Sequence, residues 1–366
     1  MGETMRAMVL TGHGGMDRYA WHTDWPKPVA GPGEALIKVG ACGLNNTDVN
    51  TRTAWYSKKV TTATDGAGYV ETDDTDSTWG GASIRFPRIQ GADVCGLVEA
   101  VGEGVDSALL GRRVIVDTWL RDWADPLNPA RMGYFGSEAD GGFAEYTVID
   151  ARHVYPVESA LSDAELATFA TAWITAENML NRADVGDGDS VLITGASGGV
   201  GSALIQLARR RGAATLAVAA GPKIEAVRAI GPKAVIDRAL TTDAGALKAA
   251  IVEATGQDTV SVVADVVGGG AFATLIDCIR RGGRYTVSGA IAGPMVSLDL
   301  RTLYLRDLTF AGATTVPPGI FAHLVGYIER GEVTPLLAAS YPLEKLVEAQ
   351  TAFIEKRHTG NIVVLP

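Results

Sequence analysis

Apolar positions along the chain fall into two regimes. From Arg6 to about Asp150 they come in short runs punctuated by glycine and proline, and Arg6–Leu10, Glu34–Val39, Asp93–Val101 and Gly111–Val116 predict strands. Gly31-Pro32-Gly33 and Gly102-Glu103-Gly104 predict turns between such runs. From about Val154 the period lengthens. Ser162–Ala183 predicts a helix, with Ser162 as its N-cap and Glu165 three residues on. Strands at Ser190–Thr194, Ala214–Val218, Ala234–Ile236, Val260–Val266 and Arg284–Ser288 then alternate with helices at Val200–Arg211, Ile224–Ile230, Ala246–Ala254 and Phe272–Ile279. After about Phe310 come helices at Ile320–Arg330 and Leu343–Lys356 and a last strand at Asn361–Leu365. This predicts an α/β protein: a mostly-β, barrel-like part, and a doubly wound parallel sheet with helices on both faces.

Two stretches break the pattern. Ser57 to about Arg88 is polar, with Asp73, Asp74 and Asp76 close together, and reads as a long surface excursion, either a solvated loop or a lid over a site. Thr118–Gly142 carries Trp119, Trp123, Tyr134 and Phe135, which either line a pocket wall or pack against the barrel.

The stretch from Ser190 to Ser202 carries candidate chemistry. An apolar strand run is followed by Gly195-Ala196-Ser197-Gly198-Gly199-Val200-Gly201 and then by a helical face of Val200, Ala203, Leu204, Leu207 and Ala208. Glycines let a backbone approach a pyrophosphate closely, and the unpaired amides of a new helix receive it. Ala196 stands where the first glycine of GxGxxG would be, leaving AxGxxG with Gly198 and Gly201; a purely structural strand-to-helix turn is the alternative. Gly268 and Ser288-Gly289-Ala290 end later strands on the same carboxyl edge.

Composition narrows the class. The chain has 366 residues, 47% hydrophobic and 20% charged, which suits two globular domains and excludes a disordered chain. A net charge of −10 gives no basic footprint for nucleic acid or an anionic membrane. Cys42, Cys95 and Cys278 lie far apart with no CxxC pair, which excludes a disulfide framework and a cysteine-rich zinc site. With no signal segment and no apolar run of membrane length, a cytoplasmic protein acting on a small molecule is expected.

The whole chain resembles the medium-chain dehydrogenase/reductase superfamily, most closely its zinc-free quinone oxidoreductase and enoyl reductase branch. The resemblance is carried by GASGGVGSALIQLA at Gly195–Ala208, CGLNNTD at Cys42–Asp48, GADVCGLVEAVG at Gly91–Gly102, DGGFAEY at Asp140–Tyr146, TAWITAENML at Thr171–Leu180 and HTGNIVV at His358–Val364. It implies a GroES-like catalytic domain built from both ends of the chain, 1–153 and 310–366, with a Rossmann domain inserted at 154–309. The zinc-dependent branch holds its metal with a cysteine in the second of these motifs, a His-Glu pair in the third, and a cysteine or histidine before the inserted domain. Here those places hold Asn45, Ala92-Asp93 and Thr171, and none of His13, His22, His153, His323 and His358 stands at metal-ligand spacing to another. No catalytic or structural zinc is expected.

NAD selectivity usually needs an acidic residue about 20 residues past the glycine turn. That place is Ala217-Val218-Ala219-Ala220-Gly221, with Lys223 following and Arg238 ending the next strand unit. In the resembled branch, basic or polar residues here hold the 2′-phosphate, so NADPH is expected; Lys223 capping its helix and Arg238 pairing with Asp237 are the plainer alternatives. Thr175 matches a threonine that packs near the nicotinamide. Tyr56 falls where enoyl reductases carry a proton-donating tyrosine, Asn50 matches their D-I-N, and Asn45 could orient the cofactor ribose or the substrate oxygen. A half-buried structural role is the alternative for Tyr56. The resemblance implies a reductase of an activated C=C bond or a quinone, the alternatives being a metal-free carbonyl reductase or alcohol dehydrogenase and a silent dinucleotide-binding protein. It also implies a homodimer joined through edge strands, for which Arg284–Ser288 and Leu308–Ala313 are candidates.

Overall fold

The fold is taken from a computed structural model that describes residues 2–64, 71, 78 and 84–366. The chain divides into two compact units, one of residues 1–60, 66–171 and 317–366, the other of 61–65 and 172–316.

The first unit is the β part. Its amino-terminal share comprises β1 (Thr4–Leu10), β2 (Tyr19–Pro26), β3 (Glu34–Gly43), α1 (Asn46–Arg52), β4 (Arg88–Ile89) and β5 (Asp93–Val101). It continues through β6 (Arg113–Val116), β7 (Trp119–Leu120), β8 (Gly133–Tyr134), β9 (Tyr146–Asp150), β10 (Val154–Pro156) and α2 (Asp163–Leu166). Next, α3 (Ala170–Arg182) leads into the second unit.

That unit is a parallel α/β sheet: β11 (Ser190–Ile193), α4 (Gly199–Arg210), β12 (Ala214–Ala219), α5 (Lys223–Ala229), β13 (Ala234–Asp237), α6 (Ala244–Thr255) and β14 (Val260–Asp265). It is completed by α7 (Phe272–Asp277), β15 (Ile279–Val287), α8 (Leu300–Leu305) and β16 (Thr309–Gly312). The chain then returns to the first unit with α9 (Ile320–Glu329), β17 (Leu337–Pro342), α10 (Leu346–Glu355) and β18 (Asn361–Leu365).

In the β unit, strands order as β10-β6-β5-β3-β18-β17 with β9 also on β3, beside a three-stranded sheet β2-β1-β4 and the pair β7-β8. Alternation puts Ala35, Ile37 and Val39 of β3 and Val94 and Val98 of β5 into one core with Phe135, Phe143 and Phe353. The last strand, β18, pairs antiparallel with β3 through Val363–Gly43 and Val364–Cys42, so both ends of the chain build one sheet. The unit divides after Thr171, later than the expected end at 153, because β10 pairs with β6.

The parallel sheet orders as β13-β12-β11-β14-β15-β16. The strands β11, β12 and β14 are near-continuous apolar runs, as the middle of a sheet covered on both faces requires, and all of β14 is buried. The order reverses between β11 and β14, and ligands of such sheets bind at the carboxyl ends beside that reversal. Of the two candidate edge strands, Arg284–Ser288 is interior, because β15 is flanked by β14 and β16; only β16 is an edge.

The expected helix over Ser162–Ala183 is two helices, α2 and α3, separated at residues 167–169. Of the excursion after Tyr56, Ser57, Val60, Thr64, Thr78 and Ile84 are buried, while Asp73, Asp74 and Asp76 lie outside the described residues. Thr64 N–H donates to Ile291 O at 2.8 Å, which ties residues 61–65 to the parallel-sheet unit. Among the described residues, no helix is long and apolar enough to cross a membrane.

Candidate active site

In the parallel-sheet unit, β11 ends in a turn whose shape depends on glycine. Gly195 has φ +58°, and a side chain at Gly201 would put its Cβ 2.2 Å from Gly195 O, so α4 can pack this closely against the turn only without one. Gly198 is the N-cap of α4 and has no side-chain capping bond. Ser197, Gly198, Gly199 and Val200 are half-buried, Ala196 is buried, and the first-turn amides of α4 are placed to meet an anion.

Across the strand reversal, Thr194 Oγ1 donates to Asp265 Oδ1 at 2.5 Å. Asp265 also accepts from Val267 N–H at 2.8 Å, Gly268 N–H at 3.2 Å and the Tyr285 hydroxyl at 2.6 Å. A buried carboxylate with this many donors fixes the loop after β14. Ser288 N–H donates to Asp265 O at 3.2 Å, and a Cβ on Gly268 would lie 3.2 Å from that of Ala290. Gly268, Ser288, Gly289 and Ala290 therefore gather at one edge. Gly268 at φ +64° and Gly289 at φ +120° hold backbone that other residues rarely adopt. Thr175 sits half-buried on α3. Ala220 lies between the end of β12 and α5. Lys223 opens α5, and its pKa is lowered by burial and by the charge of Arg238, so two cations share this corner. Asp237 is occupied by Ala239 N–H at 2.9 Å.

In the β unit, the places where the resemblance to the zinc-dependent branch would put metal ligands hold Asn45, Ala92-Asp93 and Thr171, of which Asp93 and Thr171 bond to each other. Asp93, the first residue of β5, accepts both the backbone N–H of Thr171, at 2.9 Å, and the Thr171 hydroxyl. Thr171 Oγ1 meets Tyr134 Oη at 2.5 Å. Asn45 precedes α1, and its backbone N–H donates to Asp48 Oδ2 at 2.7 Å. Asp48 and Asp93 are both buried, which pushes Asp48 up to about 7, helped by the charge of Asp93, and Asp93 up to about 6 against its bonds to Thr171 and the Asn45 amide. The hydroxyl of half-buried Tyr56 lies beside Thr47 and Asn50; burial raises its pKa and these neighbours oppose the rise.

This donor set does not suit zinc. Asn45 and Thr171 are neutral and weakly donating, and Thr171 turns both its amide and hydroxyl protons to Asp93. Among the described residues, no group of three or more His, Cys, Asp or Glu side chains is placed to hold a metal ion. Asp93 and Tyr134 join this cluster without having been candidates in the sequence. The only signal was an acidic residue opening an otherwise apolar strand, and an aromatic-rich loop with no assigned task. In that loop Trp119 and Phe135 are buried packing residues, while the Tyr134 hydroxyl joins the Asp93 cluster.

The chain matches the alcohol dehydrogenase GroES-like domain over residues 31–159 and the zinc-binding dehydrogenase domain over residues 199–329. A structure from Sinorhizobium meliloti 1021, provisionally named an alcohol dehydrogenase, is 44% identical over all of this chain and 98% of its own, with a TM-score of 0.89. The quinone oxidoreductase of Lama guanicoe is 26% identical over 99% of this chain and 97% of its own length. The crotonyl-CoA carboxylase/reductase AntE, solved in complex with NADP, is 25% identical over 99% of this chain and 95% of its own, with a TM-score of 0.81. With both domain matches and this fold, the chain belongs to the medium-chain dehydrogenase/reductase superfamily, and it is an oxidoreductase of that family.

Proposed function

We propose that the protein is a zinc-independent, NADPH-dependent reductase of activated carbon–carbon double bonds or quinones, with enones, enals or enoyl thioesters as the acceptor class. The observation that supports this reading is that two of the metal-ligand places hold Asp93 and Thr171, which bond to each other, with Tyr134 joined to Thr171. The relatives named quinone oxidoreductase and crotonyl-CoA carboxylase/reductase support the acceptor class. The turn of residues 196–201 would hold the pyrophosphate, Gly268 and residues 288–290 the nicotinamide end, and Lys223 and Arg238, beyond Ala220, the 2′-phosphate. Bound there, a reduced nicotinamide supplies a hydride.

The chain's own residues then have to manage charge and a proton. A phenol with its ordinary pKa of about 10 keeps its proton at neutral pH, and burial of Tyr56 acts in the same direction, so it is a donor and not a base. Asn50 and Thr47 hold its hydroxyl, and Asn45 orients the acceptor. Replacing Tyr56 with Phe should lower turnover about 100-fold, the low end of general acid catalysis, while NADPH affinity stays within about twofold. An unchanged rate removes Tyr56 from the mechanism.

Carbonyl reduction is the second reading, favoured by the alcohol dehydrogenase name of the Sinorhizobium meliloti relative. Product analysis with a 2-enone separates the two: a saturated ketone supports the first, an allylic alcohol the second. We also propose a homodimer joined through the exposed edge of β16, which follows α8 with its exposed Leu300, Tyr304 and Leu305.

A further inference from the structure

The last turn of α1 is held by groups from the β1–β2 loop, β2, α10 and the end of β4. Gly14 N–H donates to Arg52 O at 2.9 Å, and Arg52 Nη1 returns to Gly14 O at 2.8 Å. Beside it, His13 donates from Nδ1 to Thr51 O at 2.9 Å. Both carbonyls belong to a turn with no following helix to bond them. A chain of side-chain bonds starts at the same place. Arg52 Nε donates to Gln350 Oε1 at 3.3 Å, Gln350 Nε2 to the Tyr19 hydroxyl at 2.6 Å, and Tyr19 to Gln90 Oε1 at 2.5 Å. Gln90 Nε2 then closes the ring on Asp48 O of α1 at 3.1 Å. Arg52, Gln90 and Gln350 are buried. Burying a guanidinium among neutral acceptors is a poor source of stability; what this arrangement supplies is a fixed end for α1. The chain leaving that end is strained. Ala54 is fully buried with φ +55°, a left-handed backbone that alanine keeps only where its surroundings impose it. The turn folds back on α1, with Trp55 N–H donating to Asn50 O at 2.8 Å, and brings the Tyr56 hydroxyl beside Thr47 and the Asn50 side chain.

We propose that Arg52 is a positioning residue of this enzyme, which fixes the end of α1 and through it the place of the Tyr56 hydroxyl. Its effect on the rate rests on the reductase reading, in which Tyr56 is the donor. Arg52 acts in this role only through Tyr56. Lysine does not replace it, because one ammonium cannot serve Gly14 O and Gln350 Oε1 together as the guanidinium fork does. The bonded chain runs in one direction from Arg52 through Gln350, Tyr19 and Gln90 to Asp48 O, each middle member taking one proton and giving one. Loss of the Tyr19 hydroxyl therefore opens the same ring.

The test reads the Tyr56 hydroxyl and the rate separately, in the wild type, Arg52→Lys, Tyr56→Phe and the double variant. With carbon-13 at tyrosine Cζ, the resonance missing from Tyr56→Phe belongs to Tyr56 and reports the bonding of its hydroxyl. It should move in Arg52→Lys. Rates are followed with NADPH and whichever of 1,4-naphthoquinone, trans-2-hexenal and crotonyl-CoA the wild type reduces fastest. In Arg52→Lys, kcat should fall between about tenfold and about 100-fold, the cost of displacing a reacting group by up to about 1 Å, while acceptor KM and NADPH affinity stay within about twofold. In the Tyr56→Phe background the same change should cost less than about twofold, because the group it positions is gone. A residue that only stabilised the fold would cost as much in either background. If Arg52→Lys does not fold, Tyr19→Phe, which keeps the ring and opens the bonded chain, serves in both measurements. An unmoved Tyr56 resonance, an unchanged kcat in Arg52→Lys, or a loss as large without the Tyr56 hydroxyl as with it overturns the proposal. A resonance that moves in a protein that reduces no acceptor supports the positioning and overturns the reductase reading instead.

Discussion

Asp48 accepts the Asn45 amide at 2.7 Å, closing the first turn of α1, and is buried beside Asp93. Its folded pKa of about 7 lies above the unfolded value of about 3.9. The native state therefore binds more protons than the unfolded chain between those values, and stability falls as pH rises from about 4 to about 7. Asp93, at about 6, adds in the same direction. We predict that the melting temperature is lower at pH 8 than at pH 5, and that Asp48→Asn narrows this gap. A gap of the same size in the variant would show that the burden lies elsewhere. Lys223 and Arg238 give a second prediction at this scale. Charge-assisted bonds are worth about 1.5–3 kcal/mol, so Lys223→Ala with Arg238→Ala should weaken NADPH binding at least tenfold and leave NADH within about twofold, measured by nicotinamide fluorescence. Asn45, Asn50 and Tyr56 were legible as candidates because they lie in one short stretch of sequence. The Asp93–Thr171–Tyr134 cluster was not, because its members stand 78 and 37 residues apart and only pairing of folded elements brings them together.

The break between α2 and α3 has the same origin. The sequence from Ser162 to Ala183 has helical spacing throughout, but the second amide of α3 is captured by Asp93 of β5, an N-terminal partner that no local pattern can reveal. At residues 167–169 the Thr168 hydroxyl turns back to Glu165 O at 2.7 Å. Strands with mixed faces were also missed. In β17 half-buried residues alternate with exposed ones, and β2 contains no buried residue, so neither shows an apolar run. The parallel strands β11 to β14, by contrast, could be read from sequence to within a residue, while β15 begins at Ile279, five residues before the expected Arg284, because its first half, Arg280-Arg281-Gly282-Gly283, is not apolar. The turn before α4 gives the prediction at this scale. A methyl at Gly201 would meet Gly195 O and Ala196 Cα within 2.7 Å, so Gly201→Ala must move α4 off the turn. Overpacking of this kind costs about 1–3 kcal/mol, and the variant should both melt earlier and bind dinucleotide more weakly. Unchanged dinucleotide affinity would argue that the turn does not carry the pyrophosphate.

At the scale of the molecule, the change from short punctuated strands to alternating strand and helix marks the two units, and the return of β18 to β3 explains why the chain's last strand belongs with its first domain. The sheet's exposed edge at β16 gives an expected mass in light scattering of twice 38.3 kDa, and a monomer at micromolar concentration would count against the dimer. The central proposal is that this oxidoreductase works without zinc, because the ligand places hold Asn45, Asp93 and Thr171, of which Asp93 and Thr171 bond to each other. The measurement that meets it most directly follows NADPH and NADH oxidation in a strong chelator, with a quinone, a 2-enal and an enoyl thioester as acceptors. Chelator-insensitive oxidation with NADPH preferred is the expected result. Activity lost to the chelator, or restored by zinc, would contradict it.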